Sequence, residues 1–233
     1  MGNWIAFWDS DHSIYVSKRH REAHARRLAA DLAAYIPSPR ATMLDYGCGE
    51  ALYADWLPVA RLILVEVAPR LRAKLQARYV ANARIEVAAP EAIGNLPAGS
   101  VDFALINSVT QYLSRAELDD VLALIHPLLH PGGVLVIGDV LRPGVSGMTD
   151  ALALLRFSLA EGFFLAALRG LARTMLSDYL RLRRDLGLAR YGEPEMTQKL
   201  RQAGFAARRA ASNLGHNQAR MTFVGEPIAE PAR

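Results

Sequence analysis

Asp45, Gly47 and Gly49 fall within the segment Asp45-Tyr46-Gly47-Cys48-Gly49. Two glycines one residue apart let a backbone bend sharply and let a ligand approach the main chain. The acid ahead of them decides which ligand. A carboxylate repels a pyrophosphate and attracts an ammonium group. Glu66 follows at about the 20-residue separation where an acid ending the next strand grips a ribose diol. Leu52 leaves the pattern Gly-x-Gly-x-x-Gly incomplete, which weighs against a dinucleotide. These residues suit a nucleoside with a cationic amino-acid tail. A nicotinamide-dependent oxidoreductase is the first rival, disfavoured by Asp45 and Leu52.

Short apolar runs and helical stretches alternate around that turn. Strands are expected over 41–45, 62–67, 84–87, 101–107 and 134–140. Helices are expected over 17–35, 70–79 and 117–129, with a helix start at 51–57 and a turn at 130–133. Such alternation implies βαβ crossovers and a parallel sheet covered on both faces. The pattern breaks over 141–200, which reads as two or three helices inserted after the fifth strand. A helix over 194–203 and a hairpin of strands 205–211 and 219–224 close the chain. The fold class is therefore α/β: a doubly wound, mostly parallel, seven-stranded Rossmann-like sheet with an antiparallel last strand and a helical insertion. The chain divides into an amino-terminal cap (1–38), a cofactor-binding core (39–140), an inserted lid (141–200) and the core's last strands (201–226).

The segment Leu44-Asp45-Tyr46-Gly47-Cys48-Gly49-Glu50-Ala51 resembles the first motif of class I S-adenosylmethionine-dependent methyltransferases. Leu64-Val65-Glu66-Val67 resembles their second motif, and residues 100–107 and 128–135 resemble the fourth strand and the entry to the fifth. Ala51 departs from the third glycine common in the family. The resemblance implies S-adenosyl-L-methionine as cofactor. It implies that Asp45, Gly47, Cys48 and Gly49 line the methionine part, that Glu66 binds the ribose and that Val67 flanks the adenine. Asn107 and Ser108 would approach the methionine or sulfonium end. The acid that often contacts the adenine amine is missing at Ala89, with Glu91 or a backbone group as substitutes.

In open parallel sheets, ligands bind beyond the carboxyl ends of the strands. His216, in the loop between the last two strands, and Asp139, ending the fifth, are the candidate bases for deprotonating an acceptor. The aromatic amino terminus is expected to fold over the cofactor, with Tyr15 and Arg19 at its carboxylate and His12 towards the substrate. Cys48 is read as part of the turn and not as a nucleophile. His126 and His130 read as structural. No metal is expected, because no ligand cluster has suitable spacing.

The expected reaction is methyl transfer to an oxygen, nitrogen or carbon of a small apolar or anionic metabolite. A catalytically inactive binding protein of the same fold is the second rival. At 52% hydrophobic and 21% charged residues, the 233-residue chain is globular and not disordered. One cysteine excludes a disulfide framework and fits a reducing, cytoplasmic setting. No signal peptide, myristoylation site or membrane span is read. The net charge of +4 gathers as arginine on helices without a nucleic-acid motif, so no nucleic acid partner is expected. The apolar, arginine-bearing insertion fits a lid, a homodimer interface or a peripheral membrane contact.

Overall fold

A computed structural model describes residues 2–10, 15–174 and 187–228. Seven strands form one sheet: β1 (Thr42–Tyr46), β2 (Arg61–Val65), β3 (Ile85–Ala88), β4 (Val101–Asn107), β5 (Leu129–Val140), β6 (Phe205–Arg209) and β7 (Met221–Pro227). Their order is β3-β2-β1-β4-β5-β7-β6. The first five pair parallel, and β7 runs antiparallel between β5 and β6. The chain reverses its direction of progress between β1 and β4, the switch point at whose carboxyl ends open α/β sheets bind ligands. The central strands are apolar on both faces because helices cover both. Leu44, Ile63 and Ile106 pack on one side of the sheet; Met43, Leu64 and Leu105 pack on the other.

The helices are α1 (Gly2–Trp8), α2 (Lys18–Ala33), α3 (Pro69–Tyr79), α4 (Arg115–Ile125), α5 (Gly147–Glu161), α6 (Phe164–Thr174) and α7 (Glu193–Gln202). Ser17 starts α2 by accepting the His20 amide at 3.1 Å, and Ser114 with Glu117 forms a capping box on α4. Gly162, left-handed at φ 73°, turns α5 into α6. The inner face of this α5–α6 pair sets Phe163 and Ala167 against Ala23 of α2. Its outer face exposes Met148, Leu152, Leu159, Leu165 and Leu168. No helix among the described residues is long and apolar enough to cross a membrane.

Two local expectations fail. The helix start expected at 51–57 is a single 3-10 turn, Ala54–Trp56. Pro58 follows at once, and the Arg84 guanidinium takes the carbonyls of Ala54 (3.0 Å) and Leu57 (2.9 Å) that a longer helix would use. The turn expected at 130–133 lies inside β5. Leu129 already pairs with Val101, and the pairing shifts register before Val134 meets Phe103. Pro131, without an amide hydrogen, and Gly132, at φ 87°, produce an irregular stretch and not a break.

Candidate active site

The turn after β1 is built on its own backbone. The amides of Gly47 and Cys48 both donate to the Val65 carbonyl, at 2.8 and 3.1 Å, tying the turn to the end of β2. Gly47 has φ 77°, and a Cβ there would lie 2.5 Å from Val109 Cγ2. Only glycine fits such a position. Ala51, where a third glycine was noted as missing, also takes a positive φ of 45°. The Gly49 amide donates to Glu66 Oε2 at 2.9 Å, and the Ala68 amide donates to Oε1 at 2.8 Å. Burial raises the Glu66 pKa, and these amides oppose that rise. The carboxylate is thereby fixed at the end of β2, with lone pairs left to accept further hydrogen bonds.

Asp45 is buried at the end of β1. One carboxylate oxygen accepts the Tyr53 hydroxyl; the other, Oδ1, is buried without a partner. Burial pushes its pKa up to about 7, opposed by the Tyr53 hydrogen bond and reinforced by Glu66. Asn107 Oδ1, at the end of the adjacent β4, is likewise buried without a partner. Two orphaned acceptors at neighbouring strand ends call for a donor-rich, cationic group.

Ser108 and Asp139 follow the ends of β4 and β5 as a second pair. Ser108 Oγ donates to Asp139 Oδ2 at 2.7 Å. Arg220 Nη1 reaches the same oxygen at 2.6 Å, while its Nη2 pairs with Asp150 Oδ2 at 3.1 Å. Asn213 Oδ1 accepts the Asp139 amide at 3.1 Å. Between β5 and β7 the register shifts at this point, and Asp139 takes φ 59°. The irregularity re-aims the carboxylate into the loop before β7.

A group of rings stands near Asp139. His20 and His24 of α2 meet His216 of the β6–β7 loop, with centroids 6.4 and 6.2 Å away. Tyr15 lies 5.3 Å from His20 and 5.6 Å from His24. Phe157 stacks on His216 at 4.6 Å, and Phe163 stacks on His20 at 4.9 Å. Burial holds His20 and His216 down to about 4 and also lowers His24. His20 Nδ1 accepts the Val16 amide at 3.3 Å. His24 and His216 have no hydrogen-bond partner among the described residues. Both are partly exposed. The loop is pinned to α2 by the Gly215 amide, which donates to Asp31 Oδ2 at 2.8 Å.

Residues 44–137 match the family model of the methyltransferase domain. Over that stretch, from β1 to β5, the chain is similar to methyltransferase domains. It is similar in fold to human N-acetylserotonin methyltransferase (13% identity, TM-score 0.57, covering 88% of this chain and 52% of that one). It is also similar to 1,6-didemethyltoxoflavin-N1-methyltransferase of Burkholderia thailandensis (20%, TM-score 0.53, 89% and 80%). A third similar fold is a protein of Bordetella parapertussis described as exported (15%, TM-score 0.58, 88% and 67%). A curated relative, a probable non-canonical nonribosomal peptide synthetase from Salinispora arenicola, is 34% identical over 115 residues. That alignment covers 46% of this chain but only 2% of the synthetase's length.

The remaining expected site residues are dispersed. Cys48 is buried in the turn after β1, and burial raises its thiol well above the usual range. Val67 is partly exposed beside Glu66, with its carbonyl held by Arg72 at 3.3 Å. Arg19 is not brought to the turn. Its guanidinium caps the carbonyl end of α5 at Glu161, where it also crowds Gly162. Tyr15 does approach the turn, close enough for Glu50 to raise its pKa further after burial has done so. His12 lies outside the described residues. His126 bonds the Gly204 carbonyl at 3.2 Å and His130 pairs with Asp102 at 2.9 Å, both as structural contacts. The amino-terminal helix α1 bridges Tyr112 and α3: Trp4 packs on Tyr112 at 4.7 Å, and Asp9 accepts the Arg70 amide of α3 at 2.6 Å.

Tyr53, His20, His24, Asn213 and Arg220 stand in the candidate site and were not singled out from the sequence. His20 and His24 carried a usable signal, since a spacing of four sets both on one face of α2. Arg220 carried a weaker one, a charge at the entry of an otherwise apolar strand.

Proposed function

We propose that the chain methylates a small-molecule acceptor with S-adenosyl-L-methionine as donor. The observation that carries this reading is the pair of unpartnered buried oxygens, Asp45 Oδ1 and Asn107 Oδ1, at the ends of β1 and β4. A pyrophosphate would bring more negative charge to them; the ammonium and sulfonium end of the donor brings positive charge and donors. When bound, the donor supplies an electrophilic methyl group on sulfur. Asp45, Gly47, Gly49 and Asn107 would hold its amino-acid end, with Cys48 contributing backbone only. Glu66 would accept the ribose hydroxyls, and Val67 would flank the adenine. At Ala89 no acid meets the adenine amine, and Glu91 is exposed, so a backbone group is the better candidate there.

In this reading residues 39–140 with strands β6 and β7 form the donor half, and residues 1–38, 141–200 and the β6–β7 loop form the acceptor half. The acceptor half aligns and desolvates its ligand, which suffices for much of the rate when the leaving thioether is already good. Asp139, held by Ser108 and Arg220, is a positioning residue. Calorimetric titration of the full chain with S-adenosylhomocysteine and with NAD tests the reading. S-adenosylhomocysteine is expected to bind and NAD is not; the reverse result overturns it.

A further inference from the structure

The three histidines, unlike the donor residues, have no assigned task, and two of them lack hydrogen-bond partners. We propose that His24 and His216 form the acceptor subsite for a neutral molecule bearing an acidic hydroxyl of phenolic or enolic type, and that His24 receives its proton. This inference rests on the methyl-transfer reading and names the acceptor class for the same site.

Four observations carry it. First, the rings of His24, on α2, and His216, in the β6–β7 loop, meet edge to face with centroids 6.2 Å apart, near enough to Asp139 for its charge to act on His24. Both residues are partly exposed, and neither has a hydrogen-bond partner among the described residues. A neutral imidazole accepts a hydrogen bond at one nitrogen and donates at the other, which is what a hydroxyl needs to be held and deprotonated.

Second, the surroundings are aromatic. Phe157 covers one face of His216 and Phe163 one face of His20, so a planar apolar body is accommodated beside the hydroxyl site.

Third, four cations near the cluster already have partners among the described residues. Arg220 pairs with Asp139 and Asp150, Arg27 with Asp31, and Arg21 with Glu50. Arg19 bonds the end of α5. This favours the apolar side of the earlier expectation of an apolar or anionic acceptor.

Fourth, the charges around the two rings differ. The Asp139 carboxylate acts on His24 and favours its protonated form, whereas Arg220, Arg27 and His24 disfavour protonation of His216 and only Asp150 favours it. His20 is spoken for by the Val16 amide, and Tyr15 closes the remaining side. Arg220 is also held beside His216 by structure, since it pairs with Asp150, which accepts from the adjacent Asn217; on this arrangement the proton goes to His24 and His216 orients the hydroxyl.

The step balances. The acceptor oxygen forms its bond to the methyl carbon as the carbon–sulfur bond breaks, with the sulfur keeping that electron pair. The O–H proton passes to His24, so the positive charge lost at sulfur appears on the imidazolium beside Asp139.

The test uses the full chain saturated with S-adenosylhomocysteine and titrated with para-nitrophenol, para-nitroanisole and para-nitrobenzoate. The phenol is expected to bind about ten-fold more tightly than the anisole, which has no proton to donate, as the loss of one hydrogen bond predicts. The benzoate is expected to bind more weakly still. In H24Q the preference for phenol over anisole disappears while S-adenosylhomocysteine binding persists, which also shows that the variant is folded. H216Q is a second variant with the same expectation for binding. With para-nitrophenol as acceptor, H24Q is expected to lose on the order of 100-fold in methyl transfer and to lose the acid limb of the pH profile. Absent phenol binding, equal binding of the benzoate, or an unchanged preference in H24Q overturns the proposal. Failure of S-adenosylhomocysteine to bind overturns the methyl-transfer reading instead.

Discussion

Ser108 donates its hydroxyl to Asp139 across the ends of two parallel strands, at 2.7 Å, and both residues hold a left-handed backbone at φ 59°. A left-handed conformation costs a residue other than glycine about 1–2 kcal/mol. Two such residues in one hydrogen bond persist because the neighbours over-determine them: Arg220, Asn213 and Gln111 each bond to one of the pair. The result is a rigid rim where β4 and β5 end.

Arg220 is the cation of that rim. Its replacement in R220M strands two partly buried carboxylates, Asp139 and Asp150, whose side chains are 17% and 19% exposed. Breaking such a pair costs roughly 3–5 kcal/mol. Urea unfolding is expected to show a loss in that range for R220M and a smaller loss for the double variant R220M/D139N. Equal losses would mean that the carboxylate left behind is not the source of the cost.

Asp45 ties donor binding to pH. Its carboxyl is pushed up to about 7, so at lower pH it is protonated and offers less to a cation. Affinity for S-adenosylhomocysteine is expected to rise as pH increases through 7 and to level off above it. D45N is expected to bind weakly and with a flat pH profile, by calorimetry. The unliganded fold responds in the opposite sense. A carboxyl whose folded pKa lies above its unfolded value holds its proton better when folded. Asp45 therefore contributes stability at low pH that is lost as pH rises from 3.8 through about 7.

The histidines respond with the other sign. His20 and His216 are held down to about 4 from an ordinary 6.5, so the unfolded chain takes up their protons first. Stability is expected to fall as pH drops from 6.5 towards 4. His24 acts in the same direction. Thermal melts across that window should flatten in H20Q/H216Q, and a slope unchanged from the parent would assign the acid sensitivity elsewhere.

Gly47 and Gly138 are expected to tolerate no side chain. G47A adds a methyl 2.5 Å from Val109 Cγ2 at φ 77°, and G138A adds one 2.4 Å from Asn107 Oδ1. Each substitution is expected to cost about 1–3 kcal/mol by displacing its neighbour. G138A is also expected to weaken donor binding, since it pushes on Asn107. Denaturation and calorimetry on the same preparations separate the two effects.

The geometry of the candidate donor turn was legible in the sequence because it is local. Asp45, Gly47, Gly49 and Glu66 lie on one turn and the next strand end, and short-range pattern suffices to find them. The parallel sheet was legible for the same reason, from apolar runs at regular intervals. The missing helix after the turn was not, because what prevents it is Arg84, which reaches back 30 residues to Ala54. The acceptor half was legible only in part. His216 was found as a lone histidine in a loop, but its companions lie on α2, and no local pattern announces a contact between them. Arg19 was misplaced because a cation near an expected cofactor carboxylate is a guess from proximity, and the end of α5 offered its carbonyl instead.

The Gly215 amide and the Asp31 carboxylate bond across 184 residues of chain, whereas the Gly49–Glu66 contact spans 17. Closing the longer loop costs more chain entropy, and it cannot close before the final hairpin has been synthesised. On the ribosome the turn after β1 can be complete while the loop that carries His216 does not yet exist. Under the proposed function, a nascent chain has its donor turn in place well before the residues read as meeting an acceptor.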